Sequence, residues 1–309
     1  MITTDAALQR VKGIKKSFDN GVKNNLEQYM ENRVINFYRT SEISEIFTST
    51  ESMSGIKELS EQEAPPVLTL EDGYSVTITE KRFGGAISLS EAIYKREGKD
   101  TTLKVDSFLK RQRNKIMKAS VKKLLTDAFL MLNEAFDSTS DYLAPDGVEL
   151  CGSHTWASGG TFDNGVTAAL DEAAVDTAFE YAGAFTDPAG IETPLNFDTI
   201  VVKKGSAAER EARRLFAEHI APTAIGDINL YEGSMTIIST PFITTTNKAY
   251  WFMLDSSEET ALAVGIGQYP MMNDPIVQNN QSILSNVTDF RKQGIINMPY
   301  MFYGSDGTT

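Results

Sequence analysis

The chain has 309 residues, of which 41% are hydrophobic and 23% are charged, and its formal net charge is −13 at pH 7. These values are typical of a globular protein with one large domain or two modest ones. The single cysteine excludes an intrachain disulfide. No apolar run approaches the roughly 18 residues of a membrane span, and the N-terminus lacks a signal-peptide core. We therefore expect synthesis in the cytoplasm, no membrane contact and, given the acidity, no dedicated nucleic-acid-binding domain.

Residues 1–53 are predicted to form an N-terminal arm. Apolar side chains recur at helical spacing between Leu8 and Phe18 and again between Leu26 and Phe37. A polar stretch rich in Ser, Thr and Glu follows from Thr40 to Ser60. Because short amphipathic helices on a polar tether cannot bury their apolar faces against themselves, this pattern favours an arm over a domain.

Residues 54–90 are predicted to form an extended β-hairpin. Residues with high β-propensity occupy Val76–Thr79 and Ala86–Leu89, on either side of Gly84-Gly85. The segment carries few large apolar side chains, so it would make a poor independent core. Ser88–Glu91 then fits a capping box that opens a short helix.

The longest predicted element is a helix from Thr101 to Phe136, for which Asp100 is a suitable N-cap. At about 1.5 Å per residue it would extend roughly 54 Å, which is more than a compact globule of this size needs. Its first half has one apolar face, whereas its second half is apolar all round. This pattern predicts a helix that is solvated at its start and buried at its end.

The start of this helix carries a concentration of positive charge. Residues 104–123 contain eight basic residues and one acid, Asp106, so this segment has a net charge of +7 and the rest of the chain −20. At about 100° per residue, five of the cations fall within a stripe roughly 60° wide. These five, called the basic stripe below, are Lys104, Arg111, Lys115, Lys118 and Lys122.

Two interpretations of the basic stripe remain open. Cations near the start of a helix oppose its dipole and repel one another, at a cost of about a few tenths of a kcal/mol each. An external anion alongside the helix, either nucleic acid or an acidic neighbouring subunit, would offset this cost. Alternatively, acids of the same chain pair with the stripe, which is then a solvated face.

After a loop rich in Gly, Ser and Asp at residues 138–164, helices and strands alternate. The predicted helices are Asp171–Ala184 and Ala207–His219, and the predicted strands are Thr199–Val202, Met235–Ser239, Tyr250–Leu254 and Leu262–Ile266. The tail, Val287–Tyr303, is predicted to be a β-hairpin or a long strand kinked at Pro299. The order of these elements predicts an α+β fold.

Residues with catalytic potential are few. Cys151 and His154 have the spacing of metal ligands, but no second Cys/His pair completes a tetrahedral site, so an ordinary loop pair is favoured. His219 ends a predicted helix, where a cationic side chain interacts favourably with the helix dipole. The sequence has no phosphate-binding loop, dinucleotide fingerprint or nucleophile elbow. We therefore predict no catalytic, cofactor-binding or metal-binding residues and no enzymatic activity.

The order of the predicted elements resembles that of the major capsid proteins of tailed bacteriophages, which have the Hong Kong 97-like fold. Residues Tyr74–Ile93 look like the descending strand of that family's extended loop entering a short helix, as in Mu-like major head subunits. Residues Asn196–Val202 and the helix from Ser206 to His219 resemble the family's apical domain. The likeness spans nearly the whole chain.

The resemblance implies an α+β phage major capsid fold with four parts. These are an N-terminal arm (residues 1–53), an extended β-hairpin loop (54–90), a peripheral domain (91–165 and 267–309) with the spine helix 101–136, and a compact α+β apical, or axial, domain (166–266). Residues 56–89 would reach over a neighbouring subunit, and residues 220–233 would form a loop near the capsomer axis.

The resemblance further implies a structural protein that self-assembles into hexamers and pentamers of an icosahedral head around double-stranded DNA. Its partners would be neighbouring capsomers, portal and scaffolding proteins, and packaged DNA through non-specific contacts. It would be located in the virion after assembly in the bacterial host cytoplasm. The alternatives are an encapsulin-type nanocompartment shell with the same fold, another virion structural protein and, from a different class, a small α+β enzyme.

Overall fold

The structure is a computed structural model that describes residues 34–53, 70–90, 101–216 and 231–308, together with residue 59 and six positions between Lys12 and Val22. Its helices are α1 (Thr101–Ala128), α2 (Leu130–Asn133), α3 (Glu172–Ala184) and α4 (Ala207–Phe216). Its strands are β1 (Asn36–Arg39), β2 (Ser44–Met53), β3 (Leu70–Thr79), β4 (Lys81–Leu89), β5 (Ser153–Thr155), β6 (Thr161–Asp163), β7 (Gly165–Val166), β8 (Thr199–Lys203), β9 (Thr236–Thr240), β10 (Trp251–Leu254), β11 (Leu262–Met272), β12 (Ile276–Val277), β13 (Ile283–Ile295) and β14 (Phe302–Ser305).

The first sheet combines strands from distant parts of the chain. Its order is β1-β11-β13-β4, and the short strand β12 pairs with the start of β13. β1 runs parallel to β11, whereas β13 is antiparallel to both β11 and β4. β13 is thus the strand through which the N-terminal strand β4 joins the C-terminal part of the chain.

The second sheet has the order β7-β14-β10-β8-β9, and its three central strands, β14, β10 and β8, are buried on both faces. Val201 and Phe252 contact one apolar cluster, which includes the end of α1. Ile200 and Trp251, their neighbours along the chain, contact the other cluster, which includes residues of α3 and α4. Burial on two sides explains why β8 and β10 are continuous apolar runs in the sequence, without the alternation of a strand that has one solvated face.

The predicted long helix is confirmed over most of its length. α1 begins at Thr101, and after Phe129 the helical hydrogen bonds continue through α2, with Asn133 N–H donating to Phe129 O at 3.1 Å. The last predicted residues, up to Phe136, form a turn. The predicted burial gradient is also observed, since Lys115 is exposed whereas Leu125 is 1% exposed.

The predicted hairpin between residues 54 and 90 is wrong in its pairing. β3 pairs with β2, which lies upstream in the stretch assigned to a polar tether, so the hairpin spans Ser44 to Thr79. β4 instead pairs with β13 in the first sheet. Gly84 lies inside β4 and does not mark a turn. A Cβ there would come 3.0 Å from the carbonyl oxygen of Val287, so the glycine permits the close approach of β4 and β13.

Three other sequence predictions require correction. Phe37 lies in strand β1 and not in a helix, because backbone pairing with β11 determines its conformation. The loop at residues 138–164 contains the small β5–β6 hairpin. The predicted tail of residues 287–303 is neither a hairpin nor a kinked strand, since β13 and β14 belong to different sheets. The short helix expected after Glu91 and the helix end at His219 lie outside the described residues.

The expected domain boundary at residue 266 falls inside a strand. β11 continues to Met272, past two irregularities in its pairing with β13. In addition, β14 comes from the tail assigned to the peripheral domain but pairs with β10 in the second sheet. The two sheets therefore exchange segments of chain across the expected boundary. The predicted helix at 171–184 and strands at 199–202, 235–239 and 250–254 agree with the observed elements to within one residue.

Gly304 in β14 provides a test of packing against one face of the second sheet. We expect Gly304→Ala to destabilise the chain by about 1–3 kcal/mol, because overpacking forces neighbouring groups to move. The new methyl carbon would lie 2.5 Å from Cys151 Sγ and 2.8 Å from Phe252 Cδ1, both in the core. Urea denaturation followed by tryptophan fluorescence measures the difference. Gly85→Ala is the matched control, since a Cβ there meets nothing within 4 Å, and equal loss in both variants would contradict the expectation.

Candidate subunit and anion interfaces

The structure places the described side chains of the basic stripe on one exposed face of α1. Arg111, Lys115, Lys118 and Lys122 are all exposed, while the opposite face of the helix packs into the core. The core-facing residues are Val121, Leu124, Leu125 and Ala128. Lys104 lies in the first turns of α1, and its side chain is outside the described part of the structure.

Intrachain acids do not neutralise the stripe within the described part of the chain. There, no carboxylate oxygen lies within 4.0 Å of the side-chain nitrogens of Arg111, Lys115, Lys118 or Lys122. Arg111 Nε donates a hydrogen bond to Ser107 O at 3.3 Å, which leaves its charge unpaired by an acid. Because repulsion among these cations is not offset locally, the stripe is suited to an anionic partner outside the described residues.

A buried ion pair at the base of the hairpin was missed in the sequence. Lys292 on β13 is fully buried, and its Nζ lies 3.0 Å from Glu45 Oε1 on β2 and donates to Glu42 O at 2.8 Å. The same carboxylate accepts hydrogen bonds from the hydroxyls of Tyr38, at 2.5 Å, and Thr40. These contacts fix the base of the hairpin to the first sheet. The base, residues 42–45, is called the hairpin root below.

A second buried network lies on the opposite face of β13. Arg291, 2% exposed, donates from Nη1 to Asp289 at 2.9 Å and from Nη2 to Asp127 near the end of α1. Its guanidinium also lies 3.8 Å from the centre of the Phe83 ring. Gln293, on the same face, donates to Asp127 O at 2.8 Å. Because successive side chains of a strand point to opposite faces, β13 holds α1 on one side and the hairpin root on the other.

Burial and hydrogen bonding shift the pKa values of the acids in these networks in opposite directions. Burial raises the pKa of Asp289, and the nearby Asp127 carboxylate adds to this rise although Arg291 opposes it. Burial would also raise the pKa of Glu45, but hydrogen bonds from Thr40, Tyr38 and Lys292 together lower it below its ordinary value. Glu45 is thus the more strongly stabilised anion of the two.

Cys151 and His154 are both part of the core. His154 is fully buried, with Nδ1 2.9 Å from Asp146 Oδ2 and its ring stacked on Phe162 at 5.0 Å. Burial raises the pKa of the Cys151 thiol far above its ordinary value, so the thiol stays protonated. Among the described residues, no group of three or more His, Cys, Asp or Glu side chains is placed to hold a metal ion. In the same part of the chain, no helix combines the length and the hydropathy required to cross a bilayer.

Comparison with known proteins gives no match to a family model and none to a curated protein sequence. Solved structures do match. The capsid of Myoviridae phage XM1 is 12% identical, with a TM-score of 0.51 over 87% of this chain and 88% of the other. A protein of Mycobacterium phage Patience is 11% identical, with a TM-score of 0.50 over 99% of this chain and 90% of the other.

A third match is a virus-like particle from Pyrococcus furiosus, 9% identical over 95% of this chain and 98% of the other, with a TM-score of 0.47. The first two structures contain both sheets and helices, as this chain does, and they align with most of its length. At these identities the likeness shows the fold alone. The chain therefore has the α+β, Hong Kong 97-like fold of phage major capsid proteins.

Proposed function

We propose that this chain is a structural major capsid protein that self-assembles into hexamers and pentamers of an icosahedral phage head enclosing double-stranded DNA. The observation that carries the proposal is the near full-length likeness in fold to the phage XM1 capsid. Portal and scaffolding proteins would be its further partners. The protein would assemble in the bacterial host cytoplasm and remain in the virion. The likeness of Tyr74–Ile93 to Mu-like head subunits extends the same proposal to that branch of the family.

The domain roles follow from the two sheets. The second sheet with α3 and α4 would form the apical domain near the capsomer axis, and the first sheet with α1 would form the peripheral domain. The hairpin from Ser44 to Thr79 would reach over a neighbouring subunit, in place of residues 54–90. Its exposed apolar side chains support this role, since Ile46 on β2 is 71% exposed and Ile43 beside it is equally exposed.

The basic stripe would contact an anionic partner in the assembled shell. Its partner would be either packaged DNA, bound through phosphates without sequence preference, or the acidic surface of an adjacent subunit. The net charge of −13 provides acids in abundance for the second role. Both roles agree with the absence of intrachain carboxylate partners among the described residues.

Electron microscopy of the purified full-length chain tests the proposed function. We expect closed icosahedral shells, alone or with a co-expressed scaffolding protein, and double-stranded DNA inside particles made during infection. Shells that are free of nucleic acid and enclose a co-purifying enzyme would instead identify an encapsulin-type compartment. Monodisperse small particles under every assembly condition would refute both shell functions.

A further inference from the structure

A cavity of about 190 Å³ lies between the end of α1, the start of β4 and the last part of β13. Its lining includes Lys81 at the start of β4, Lys123 and Asp127 on α1, Tyr142 and Arg291. We call it the junction cavity. No residue of the basic stripe lines the junction cavity, because Lys123 does not belong to the stripe.

The junction cavity has an excess of positive charge. Four cations line it, Lys81, Lys123, Arg291 and Lys292, but only one carboxylate, Asp127, which pairs with Lys123 and Arg291. Outside the lining, Asp289 also pairs with Arg291, and Glu45 pairs with Lys292. Lys81 lies directly opposite Arg291 in the β4–β13 pair, so the two like charges share a face of the sheet, which is unfavourable unless an anion lies between them. Lys81 forms no ion pair with another described residue. One positive charge thus remains unbalanced.

The hydrogen-bonding groups of the cavity show the same imbalance. Both carboxylate oxygens of Asp127 already accept hydrogen bonds, one from Lys123 at 2.7 Å and the other from Arg291. The hydroxyl of Tyr142 accepts from Gln293 Nε2 at 2.7 Å, which leaves its own proton available for donation. Arg291 Nε is buried without a hydrogen-bond partner. The walls therefore offer spare donors and no spare carboxylate, the environment that an anion requires.

We propose that the junction cavity binds a single oxyanion group, either a phosphate ion or a carboxylate. Lys81 and Lys123 would neutralise it, the Tyr142 hydroxyl would donate to it, and Arg291 behind them would supply further positive potential. One negative charge, that of dihydrogen phosphate or of a carboxylate, balances the excess positive charge of the cavity. Since Lys81 begins β4, separated from the end of β3 by one residue, and Lys123 belongs to α1, the bound anion would join the β3–β4 connection to the long helix. Binding of an ion by the unassembled chain does not depend on the proposed capsid function, whereas the alternative occupant, a carboxylate of a neighbouring copy, rests on it.

The test is thermal unfolding of the unassembled full-length chain in sodium phosphate, in sodium acetate and in sodium chloride at matched ionic strength. Specific binding raises the melting temperature along a saturable curve in phosphate or acetate, because a ligand that binds only the folded state stabilises it by mass action. For Lys81→Gln we expect the apparent Kd of that curve to weaken by about tenfold or more, as for loss of a charge-assisted hydrogen bond. The matched control is Lys248→Gln, an exposed lysine that belongs neither to the basic stripe nor to the lining of the cavity.

The control variant should keep the wild-type Kd to within about twofold, because its side chain contacts no cavity group. A rise that does not saturate, that chloride reproduces, or that Lys81→Gln retains unchanged would overturn the proposal. Circular dichroism establishes that both variants fold. Calorimetric titration of assembled shells with phosphate then distinguishes the sources. Retained binding identifies a free ion as the occupant, and binding seen only before assembly identifies a carboxylate of a neighbouring copy.

Discussion

Arg291→Met should destabilise the folded chain by about 3–5 kcal/mol, because removing one partner of a buried ion pair leaves the others uncompensated. Asp127 and Asp289 would then face each other without the guanidinium that now bridges them. Methionine keeps much of the side-chain volume, so the loss reports charge and hydrogen bonding more than a cavity. Urea denaturation of the unassembled chain, followed by tryptophan fluorescence, measures the free energy of unfolding.

The pH dependence of this loss has a definite sign. Burial already raises the pKa of Asp289, and without Arg291, which now opposes this rise, it would lie further above its unfolded value near 4. A carboxyl with a raised folded pKa contributes stability below its unfolded pKa, and this contribution is lost as pH rises through the folded pKa. The difference between variant and wild type should therefore be larger at pH 7 than at pH 4.

Arg210→Met is the matched control for Arg291→Met. Arg210 is an exposed arginine of α4, and we expect its replacement to change the free energy of unfolding by no more than about 0.5 kcal/mol. Adding Asp127→Asn and Asp289→Asn to Arg291→Met should recover part of the stability, since neutral amides remove the repulsion. If Arg291→Met and Arg210→Met had equal effects, the Arg291 network would not be energetically important.

Reversing three charges of the basic stripe together should reduce the yield of DNA-filled particles by about tenfold or more, given the steep dependence of phosphate binding on the number of contacts. The variant is Arg111→Glu, Lys115→Glu and Lys118→Glu. All three side chains are exposed, so each change should alter subunit stability by no more than about 0.5 kcal/mol. Electron microscopy and DNA quantification of purified particles give the yield. Empty shells in normal amounts would identify DNA as the partner, and failed assembly would identify a neighbouring subunit.

The control for this triple variant changes the net charge by the same amount elsewhere. Lys204, Arg210 and Lys248 are exposed and lie outside α1, and their joint replacement by Glu should leave particle yield near wild type. A loss of yield in both triples would indicate a general effect of net charge. Normal DNA-filled particles from the stripe variant would show that the stripe is only a solvated face.

Elements with a strong local signal could be predicted from the sequence. The predicted start of α3 agrees with the structure because Asp171 accepts a hydrogen bond from Ala174 N–H at 2.8 Å, as an N-cap should. β8 and β10 were recognisable as apolar runs because both their faces are buried. The placement of the basic stripe on one face of α1 followed from helical periodicity alone.

The pairing of the hairpin could not be predicted, because its signal lies elsewhere in the chain. Exposure alternates along β2, but the exposed positions include the apolar Ile46 and the partly buried ones include Glu45, so no alternation of polar and apolar residues marks it as a strand. β2, β3 and β4 all contain residues with high β-propensity, and any two could pair locally. The partner of β4 is β13, which follows it only much later in the sequence. If the pairing of β4 with β13 is not known, a hairpin of β3 with β4 is the simplest prediction from the local sequence.

The buried ion networks could not be predicted from the sequence for a related reason. Arg291 and Lys292 are adjacent in sequence, a pattern that usually indicates solvated charge. They are buried because α1 covers one face of β13 and the hairpin root covers the other. The two residues could be identified as the contacts that join these elements only if the positions of α1 and of the hairpin root on β13 were known.

The same strand pairings determine when the subunit can fold during synthesis. β1 and β4, from the first third of the chain, pair with β11 and β13, from its last fifth. Contacts between such distant segments form late and slowly, while a ribosome adds about 5–20 residues per second. Until translation is nearly complete, the hairpin root therefore has no sheet to hold it. In the proposed role, the end of translation would set the earliest moment at which a subunit could join a growing shell.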